Sequence, residues 1–424
     1  MKTVNIGLIG FGTIGTGLAK ILQENKNLLT QRTGTRFLLR KICDKDISSP
    51  RGVKVGKNIL TTNPEDILSD PKIDVVVELI GGIQPALNYI LKSLQNKKSV
   101  VTANKALLAE QGEKIFNAAS QNRVKIGFEA SVAGAIPIIH SLKENFVANR
   151  ISAIYGIING TTNYILSRME EKRVSFGQAL AEAKKEGYAE RNSKLDTSGI
   201  DSAHKLAILA QLAFNTGCRW QRIYREGIEK IKSLDLEYGE ELGYCLKLLS
   251  IGKVKDNGLE LRVHPTFLPK THPLSSIRGA YNGIYLCGDL IGEALFQGKG
   301  AGAKPTASSV IADIVSIARE KEDSLDWIKT VKKKKLGNIG ELETKYYFRF
   351  MALDKPGVLA QISAILGKNG ISILSCLQKE RGKTAVPVVM LTHQAKESSV
   401  QAALKEINRL SVIKGKTTLI RVEE

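Results

Sequence analysis

The 424-residue chain has few cysteines and histidines, the residues on which disulfide frameworks and transition-metal sites depend. Its five cysteines are odd in number, lie far apart and form no CxxC pair. This argues against a disulfide framework and against a cysteine-rich zinc site. The five histidines include no HExxH, the zinc motif of metalloproteases.

Long hydrophobic runs are also missing. No uninterrupted apolar stretch approaches the ~20 residues that a membrane helix needs. The first residues, MKTVNIGLIGFG, lead straight into a strand and a glycine turn, whereas a signal peptide needs an apolar stretch followed by a small-residue cleavage site. We therefore expect no membrane partner and a cytoplasmic location.

Aromatic residues make up only 6% of the chain, and no stacking motif of the RNA-binding type is present. Acidic residues are outnumbered: 42 Asp+Glu against 62 Lys+Arg give a formal net charge of +20. Such an excess can bind nucleic acid or draw an anionic cofactor into a cleft. Because the lysines are spread along the chain, and the one dense run, Lys332–Lys335, falls in a predicted linker, we favour a solvated basic surface without a nucleic-acid partner.

The length predicts two or three domains, and 43% hydrophobic with 25% charged residues is typical of a globular protein. Residues 1–130 alternate strand-like and helix-like segments, which predicts an α/β domain with a Rossmann-type, doubly wound parallel sheet. The predicted strands are Thr3–Ile9, Phe37–Cys43, Asp74–Leu79, Ser99–Thr102 and Val124–Phe128, and the predicted helices are Thr13–Leu22, Pro85–Gln95 and Ala106–Ser120.

The rest of the chain predicts two further domains. Residues 131–302 are mixed and indicate an α+β domain, with helices at Phe176–Lys185 and Ser202–Phe214. The apolar helix Thr306–Ile317, within a returning segment 303–321, is expected to pack back onto the first domain. Charged residues 322–345 predict a linker, and 346–424 follow the order of a ferredoxin-like βαββαβ domain.

A glycine-rich turn, GFGTIG, directly follows the first strand and opens a helix. Glycines at these places permit a tight turn and close backbone approach to a pyrophosphate, and the helix N-terminus offers N–H groups to the phosphates. GxGxxG alone is weak evidence, but between a strand and a helix it favours a dinucleotide cofactor over a mere tight turn. The predicted cofactor-binding residues are Gly10, Phe11, Gly12, Thr13, Ile14 and Gly15.

Asp44 ends the second predicted strand, where a carboxylate holds the ribose 2′-hydroxyl of NAD. It lies farther from the glycines than usual, because residues 24–35 lengthen the connection. Basic residues nearby could instead accept the 2′-phosphate of NADP: Arg40, Lys45, Arg51 and Lys57. Both cofactors stay open, with NAD slightly favoured.

A second glycine cluster, Gly298, Gly300 and Gly302, precedes the predicted helix at Pro305. Its backbone N–H groups could contact the cofactor, and we include Gly302 among the cofactor-binding residues. A plain loop before a buried helix is an equal alternative.

Asp201 suits the N-cap of the helix SAHKLAILAQLAF, and Lys205 lies one turn on, on the same face. Lys205 shares its stripe with Leu209 and Leu212, so we expect its ammonium at the rim of an apolar face. Partial burial lowers the pKa of a lysine, which makes Lys205 a candidate proton donor. The alternative is a capped helix with a surface ion pair.

The chain resembles the homoserine dehydrogenases over essentially its whole length. The stretches that carry the resemblance are GLIGFGTIGTG (7–17), VVTANKALLA (100–109), FEASVAGAIPII (128–139), GIINGTTNYIL (156–166), GYAE (187–190), DTSGIDSAHKL (196–206) and GAGAKPTAS (300–308). The resemblance implies an NAD(P)-dependent interconversion of L-homoserine and L-aspartate 4-semialdehyde in threonine, methionine and isoleucine biosynthesis. It also implies that 131–302 bind homoserine and form a homodimer or homotetramer.

Carried over residue by residue, the resemblance implies roles for matching positions. Lys205 matches the proton-donating lysine, and Lys105 matches a second active-site lysine that also lies at the cofactor. The implied substrate-binding residues are Gly187, Glu190, Asp196 and Asp201. Hydride addition to an aldehyde leaves an alkoxide, which a neighbouring lysine can stabilise and protonate.

A structural sodium ion is also implied. Its ligands would be the backbone oxygens of Glu129, Val132, Gly134 and Ile136, and oxygen-only ligation suits a hard cation. The chain departs from the family after GYAE, where a small residue and Asp-Pro are usual but Arg191, Asn192 and Ser193 stand here. The change alters the loop beside Glu190 and bears on substrate affinity rather than on the reaction class.

Residues 346–424 resemble an ACT domain, a module that binds amino acids in many biosynthetic enzymes. A turn at Asp354–Gly357 leads into a helix whose free N–H groups could take a ligand carboxylate. We predict a regulatory site at Asp354, Gly357, Asn369 and Ile371, with L-threonine as effector. The alternative is a module that only dimerises through its edge strands. We expect deletion from about residue 340 to leave a folded, active enzyme.

Two other functions compete with this one. A semialdehyde dehydrogenase that forms an acyl derivative needs a nucleophilic cysteine with a histidine base, and no cysteine here lies in such a loop. A non-enzymatic sensor would combine the dinucleotide fold with the ACT domain. Retention of Lys105, Glu190, Asp201 and Lys205 together argues against it, as does the lack of a recognisable DNA-reading helix.

Overall fold

The computed structural model of the chain describes residues 1–190, 192–255, 258–319, 334–379 and 385–424. These residues divide into two compact units of three segments each. Unit 1 comprises Met1–Ala153, Asp201–Ile223 and Tyr281–Lys334, and unit 2 comprises Ile154–Ile200, Tyr224–Ala280 and Lys335–Glu424. Residues 322–333 of the predicted linker, and Arg191, lie outside the described residues.

Strands and helices follow one another along the whole described chain. The strands are β1 (Lys2–Ile9), β2 (Thr35–Cys43), β3 (Leu60–Thr61), β4 (Val75–Glu78), β5 (Ser99–Thr102), β6 (Ile126–Gly127), β7 (Ile151–Ile157), β8 (Tyr224–Arg225), β9 (Tyr244–Lys255), β10 (Gly258–Pro269), β11 (Tyr281–Gly288), β12 (Gly292–Lys299), β13 (Glu343–Leu353), β14 (Ile373–Leu377), β15 (Ala385–Thr392), β16 (Ala395–Lys396) and β17 (Thr418–Val422). The helices are α1 (Thr13–Glu24), α2 (Lys26–Thr33), α3 (Glu65–Leu68), α4 (Ala86–Gln95), α5 (Lys105–Asn122), α6 (Ile138–His140), α7 (Gly160–Lys172), α8 (Phe176–Lys185), α9 (Lys194–Thr197), α10 (Ile200–Phe214), α11 (Ser233–Glu241), α12 (Ala303–Arg319), α13 (Val358–Lys368) and α14 (Glu397–Ile407).

Unit 1 contains the predicted parallel sheet, in the strand order β3-β2-β1-β4-β5-β6. Every residue of β4 is buried, as its continuous apolar run predicts. The returning helix packs onto the sheet as predicted, because Val310 and Ile314 of α12 share a core with Ile6 and Leu8 of β1. The dinucleotide-binding architecture is therefore confirmed.

Unit 1 also differs in places from the predicted elements. The strand predicted at Val124–Phe128 shortens to β6, because the chain turns into a short 3₁₀ helix at Glu129–Ser131. The long connection after α1 contains α2, which was not predicted. No residue of α2 is buried, so it shows no apolar period from which to infer it.

Unit 2 contains a sheet in the order β7-β9-β10-β17-β13-β15-β14, with β7 spanning the chain boundary between the units. The long antiparallel strands β9 and β10 were not predicted. The C-terminal strand–helix–strand–strand–helix–strand order is confirmed, with β16 as an additional short strand. Thr266 and Phe267 of β10 pair in parallel with Arg421 and Val422 of β17. One sheet thus runs from β9 and β10 into the C-terminal βαββαβ domain.

Within the described ranges, no helix combines the length and the apolar character required to cross a bilayer.

Candidate active site

The glycine-rich turn lies between β1 and α1, with Thr13 and Ile14 starting the helix. Gly10 has a φ of +105°, which favours glycine. A Cβ atom at Gly15 would lie 2.1 Å from the Gly10 carbonyl oxygen, so the helix can begin this close to the strand only without a side chain. Gly12 caps α1 without a side-chain hydrogen bond. The first N–H groups of α1 therefore fit an anionic ligand such as a pyrophosphate.

Asp44 follows β2 directly and is already engaged with the glycine turn. Its Oδ2 accepts the N–H of Phe11 at 2.5 Å. Arg51 lies beside it: Nη1 donates to the Phe11 carbonyl oxygen at 2.6 Å, and Nη2 lies 3.5 Å from Asp44 Oδ1. Arg40 instead pairs with Asp70 at 2.8 Å. The Asp44 carboxylate and the Arg51 guanidinium thus lie side by side at the position that contacts the cofactor's ribose in this fold.

Lys105 is the first residue of α5, three residues after the end of β5. Asn104 caps the helix: its Oδ1 accepts the Leu107 N–H at 3.1 Å, and its Nδ2 donates to the Gly82 carbonyl oxygen at 2.6 Å. An ammonium at a helix N-terminus opposes the helix dipole. A lysine is therefore unfavourable at this helix position, and such departures from local preference are expected at functional residues.

Three predicted residues meet in unit 1. Lys205 Nζ donates to Asp201 Oδ2 at 2.8 Å, the pairing expected one turn apart on a helix. Lys105 Nζ lies 2.6 Å from the other carboxylate oxygen of Asp201, although the two residues are far apart in sequence. The sequence predicted Asp201 as the N-cap, but α10 begins at Ile200, so Asp201 lies inside the first turn of the helix.

The triad, defined as Lys105, Asp201 and Lys205, has one negative and two positive groups. The Asp201 side chain is 4% exposed, while that of Lys105 is 43% exposed. Burial by itself raises the pKa of Asp201, but the charges of Lys205 and Lys105 outweigh it and hold that pKa below its ordinary value. An ionised carboxylate thus orients two ammonium groups. This suits a substrate oxygen that becomes negative and then takes a proton.

The predicted substrate residues Gly187, Glu190 and Asp196 lie in unit 2. Gly187 follows the end of α8 with a φ of +78°, and Glu190 is exposed. Asp196 belongs to α9, and its Oδ1 accepts a hydrogen bond from Asn159 Nδ2 at 2.7 Å. In the altered sequence after GYAE, Asn192 is exposed.

The loop 129–136 carries the four backbone oxygens that the resemblance assigns to sodium. Ala133 and Gly134 both adopt left-handed backbone conformations, with φ of 55° and 58°. The Gly134 carbonyl oxygen accepts the Ser309 hydroxyl at 2.8 Å, and that of Ile136 accepts the Ile138 N–H at 2.8 Å. Each carbonyl oxygen has a second lone pair. The loop therefore fits a hard cation held by backbone oxygens.

The side chains next to this loop form hydrogen bonds and ion pairs with one another. The Glu129 carboxylate accepts the N–H groups of Ile139 at 2.8 Å and His140 at 2.7 Å, and burial raises its pKa to about 7. His140 Nε2 lies 3.0 Å from Asp313, which raises the pKa of the imidazole to about 9. Among the described residues, no group of three His, Cys, Asp or Glu is placed to hold a metal ion.

The second glycine cluster leads into α12. Gly302 has a φ of +119° and directly precedes the helix, which begins at Ala303, earlier than predicted. The carbonyl oxygen of Lys299, within the cluster, accepts the Ala135 N–H at 3.1 Å, so the cluster is anchored to the loop 129–136.

The predicted regulatory residues lie around α13. Gly357 caps the helix with a φ of +83°, and the first helical N–H, that of Val358, donates to the Lys355 carbonyl oxygen at 3.3 Å. Asp354 Oδ1 accepts a hydrogen bond from Gln378 at 3.1 Å. Asn369 ends the helix, its Nδ2 donating to the Ile365 carbonyl oxygen at 2.9 Å. Ile371 is buried in the domain core.

Two residues that position predicted site residues, one in each unit, were not singled out from the sequence. Asn104 orients the start of α5, and Asn159 holds Asp196 while its Oδ1 caps α7 through the Thr162 N–H at 2.9 Å. Both lie in stretches that resemble the family, and both directly precede helices. An asparagine at that position is an N-cap signal, which could have identified them.

Family models match three stretches of the chain. Residues 137–315 match homoserine dehydrogenase, 10–129 match its NAD-binding domain, and 346–412 match the ACT domain. The homoserine dehydrogenase of Neisseria gonorrhoeae is 41% identical, over 100% of this chain and 99% of that protein. The chain belongs to the homoserine dehydrogenase family.

Solved structures agree with this assignment. A homoserine dehydrogenase from Thiobacillus denitrificans superposes with a TM-score of 0.94 at 41% identity, over 100% of this chain and 99% of the other. A hyperthermophilic archaeal homoserine dehydrogenase in complex with NADPH superposes with a TM-score of 0.64 at 26% identity, over 74% and 98%. The chain is thus an NAD(P)-dependent oxidoreductase that interconverts L-homoserine and L-aspartate 4-semialdehyde, a step of amino-acid biosynthesis, and it carries an ACT domain.

Proposed function

We propose that the triad carries the proton transfer of homoserine dehydrogenase, with Lys205 as the proton donor when the semialdehyde is reduced. The observation that supports this is the ionised, buried Asp201 between two ammonium groups. The bound nicotinamide supplies or accepts the hydride. Lys205 gives its proton to the alkoxide oxygen, and Lys105 adds a second positive charge beside it. In homoserine oxidation the same lysine, deprotonated, accepts the hydroxyl proton.

Homoserine itself carries an ammonium, for which carboxylates are the natural partners. On the resemblance, we assign Glu190 and Asp201 to the amino and hydroxyl ends of the substrate, and Asp196 and Gly187 to substrate binding. Asp196 is fixed by Asn159, whereas Glu190 is exposed in the altered loop. The loop residues after Glu190 are therefore expected to affect KM for homoserine rather than kcat.

Either dinucleotide fits the turn at Gly10–Gly15, and we assign a preference for NAD. Asp44 is a negative charge at the ribose position, which repels a 2′-phosphate. Arg51 Nη2 lies 3.5 Å from Asp44 Oδ1, but Arg51 already bonds the Phe11 carbonyl oxygen and also lies near Asp46. Binding of NADP would therefore require Arg51 to exchange these partners.

Further proposals rest on the resemblance and on local geometry. The loop 129–136 is assigned a structural Na⁺, and Gly302 a backbone contact to the cofactor. We place the enzyme in the cytoplasm as a homodimer or homotetramer. Its domains are assigned as 1–130 with 303–321, 131–302 and the ACT domain 346–424, joined by a linker at 322–345.

The ACT domain is assigned a regulatory site for an amino acid, with L-threonine as effector. The N-terminus of α13 at Gly357 suits a carboxylate, and Asp354 suits an ammonium, so the pair fits a zwitterion. Inhibition by L-threonine would allow a downstream product of the pathway to reduce the activity of this enzyme.

The central test is an absorbance assay of purified protein with L-homoserine and either NAD or NADP. We expect reduction of the nicotinamide with both and a higher kcat/KM with NAD. Turnover confined to NADP would overturn the cofactor assignment. Calorimetry with L-threonine tests the effector, and absence of both binding and inhibition would leave the ACT domain as a dimerisation module.

A further inference from the structure

A short segment of unit 2, Tyr224–Glu229, contacts both the ACT domain and the helix that carries Asp196. We call it the strap. Its first part is anchored on β10: Tyr224 and Arg225 form β8, parallel to β10, and the Glu226 N–H donates to the Val263 carbonyl oxygen at 2.8 Å. None of its residues belongs to the triad or to the predicted substrate residues.

The ACT domain holds one end of the strap through a buried arginine. Arg421, on β17, is 1% exposed. Its Nη1 donates to Glu226 Oε1 at 3.1 Å, and its Nη2 donates to the Tyr224 hydroxyl at 2.9 Å. The rest of the guanidinium bonds Glu397 of α14 at 2.8 and 2.7 Å. Because the planar fork is bonded on several sides, a movement of β17 or α14 would move the strap.

The other end of the strap holds α9. The Ile228 N–H donates to the Thr197 carbonyl oxygen at 2.9 Å, and the Thr197 hydroxyl donates to Glu229 Oε1 at 2.7 Å. A Cβ atom at Gly227 would lie 2.4 Å from the Thr197 carbonyl oxygen, so the two backbones are in direct contact. Thr197 is buried, which leaves α9 little freedom to move independently of the strap.

Thr197 directly follows Asp196, so the strap and Asn159 fix the same short helix. Asn159 holds one Asp196 oxygen at 2.7 Å. The strap holds the next residue through its backbone carbonyl and its side chain. A carboxylate that binds substrate must keep its position within a fraction of an ångström to be effective. Two anchors on a four-residue helix meet that requirement.

We propose that the strap sets the position of Asp196, with Glu229 as a positioning residue, and that Arg421 makes this position depend on the ACT domain. The proposal rests on the proposed role of Asp196 in binding homoserine. A ligand that favours one arrangement of β17 and α14 would then change KM for homoserine through contiguous hydrogen bonds.

A double-mutant cycle tests the Glu229 end. Glu229→Ala and Thr197→Val each remove the same hydrogen bond, and each should raise KM for L-homoserine about three- to tenfold with kcat within about twofold. The double variant should be no worse than either single one, because both delete one interaction. Glu229→Gln keeps an acceptor oxygen and should restore KM. Additive effects, or equal losses in kcat, would overturn the positioning role.

Native-state hydrogen exchange tests the ACT end without relying on turnover. Glu226→Gln removes the charge that Arg421 bonds, and we expect about three- to tenfold faster exchange in peptides covering 194–200 and 226–229. Asp235→Asn is the matched control. It also weakens a carboxylate–arginine contact with the ACT domain, through Arg349, but does not touch the strap. Faster exchange confined to 224–226, or equal changes in the control, would contradict the coupling.

Thermal melts establish that each variant is folded at the assay temperature. Failure of the strap proposal is distinguishable from failure of the proposed function. A wild-type protein that does not oxidise homoserine would refute the function, while the exchange experiment would still report on the strap. An active wild type with an unchanged KM in Glu229→Ala would refute the strap alone.

Discussion

Two buried clusters of charge in this protein are built in opposite ways. The triad in unit 1 has two ammonium groups for one carboxylate, and one of them, Lys105, is 43% exposed. The arginine network of unit 2 consists of Arg262, Arg349 and Arg421, each about 1% exposed and paired with carboxylates. The triad has an excess of positive charge, whereas each arginine of the network has at least one carboxylate partner.

The difference indicates what each cluster does. A buried arginine that is bonded to carboxylates cannot accept a ligand without breaking those bonds, so the network contributes to structure and specificity. An unbalanced pair of lysines on one aspartate has positive charge to offer to a developing alkoxide. The comparison predicts that changes in the network alter stability and leave kcat nearly unchanged, and that changes in the triad lower kcat and leave stability nearly unchanged.

Removal of the ACT domain is expected to have the largest effect. Truncation before β13 would take β17 from β10 and expose an edge strand, and would also uncover Phe267, whose ring packs 5.1 Å from that of Tyr347. We expect an aggregated or unfolded product, measured by size-exclusion chromatography and circular dichroism. The sequence alone led us to expect a folded, active fragment, and recovery of one would show that the shared sheet is dispensable.

Lys205→Met tests whether the triad contributes to catalysis without contributing to stability. We expect kcat to fall by at least ~10²-fold, because the proton donor is lost, while the dissociation constant for NAD changes little. The melting temperature should stay close to that of the wild type, since Asp201 keeps its pair with Lys105. Near-normal turnover would refute the assignment of Lys205.

Arg349→Met tests whether the arginine network contributes to stability without contributing to catalysis. It leaves the fully buried Asp235 without its guanidinium partner, which costs about 3–5 kcal/mol when one member of a buried pair is removed. We expect a clear drop in the denaturation midpoint, with kcat per folded molecule within about twofold of the wild type. Arg349→Lys is the control that keeps the charge. A large fall in kcat without loss of stability would break the comparison.

Asp44→Asn should have the smallest of these effects. It tests a residue that bonds the glycine turn and is assigned to cofactor recognition. The amide keeps an acceptor for the Phe11 N–H, so the glycine turn should persist. Loss of the charge should shift the ratio of kcat/KM for NAD over NADP toward NADP by about tenfold. Steady-state kinetics with both cofactors measure it. An unchanged ratio would show that Asp44 serves only to hold the turn.

The sequence by itself determined the local elements and the glycine turn. Periodic apolar residues and a GxGxxG motif between a strand and a helix depend on near neighbours, so β1, α1, β4 and the βαββαβ order could be inferred. The pairing of Asp201 with Lys205 followed from helical spacing alone. The helix α2 could not be inferred because none of its residues is buried. The strands β9 and β10 could not be inferred because the hydrophobic pattern of their region is mixed.

Only the tertiary structure decided which distant charges meet. Lys105 reaches Asp201, and Arg421 reaches Glu226, across long stretches of chain. Nothing in the sequence around Arg349 or Arg421 distinguishes a buried arginine from an exposed one, because charged residues are usually solvated. Their burial depends on β17 joining β10, a pairing set by the packing of whole elements rather than by any local pattern. The ACT domain's integration into the sheet, and the strap that depends on it, therefore became visible only in three dimensions.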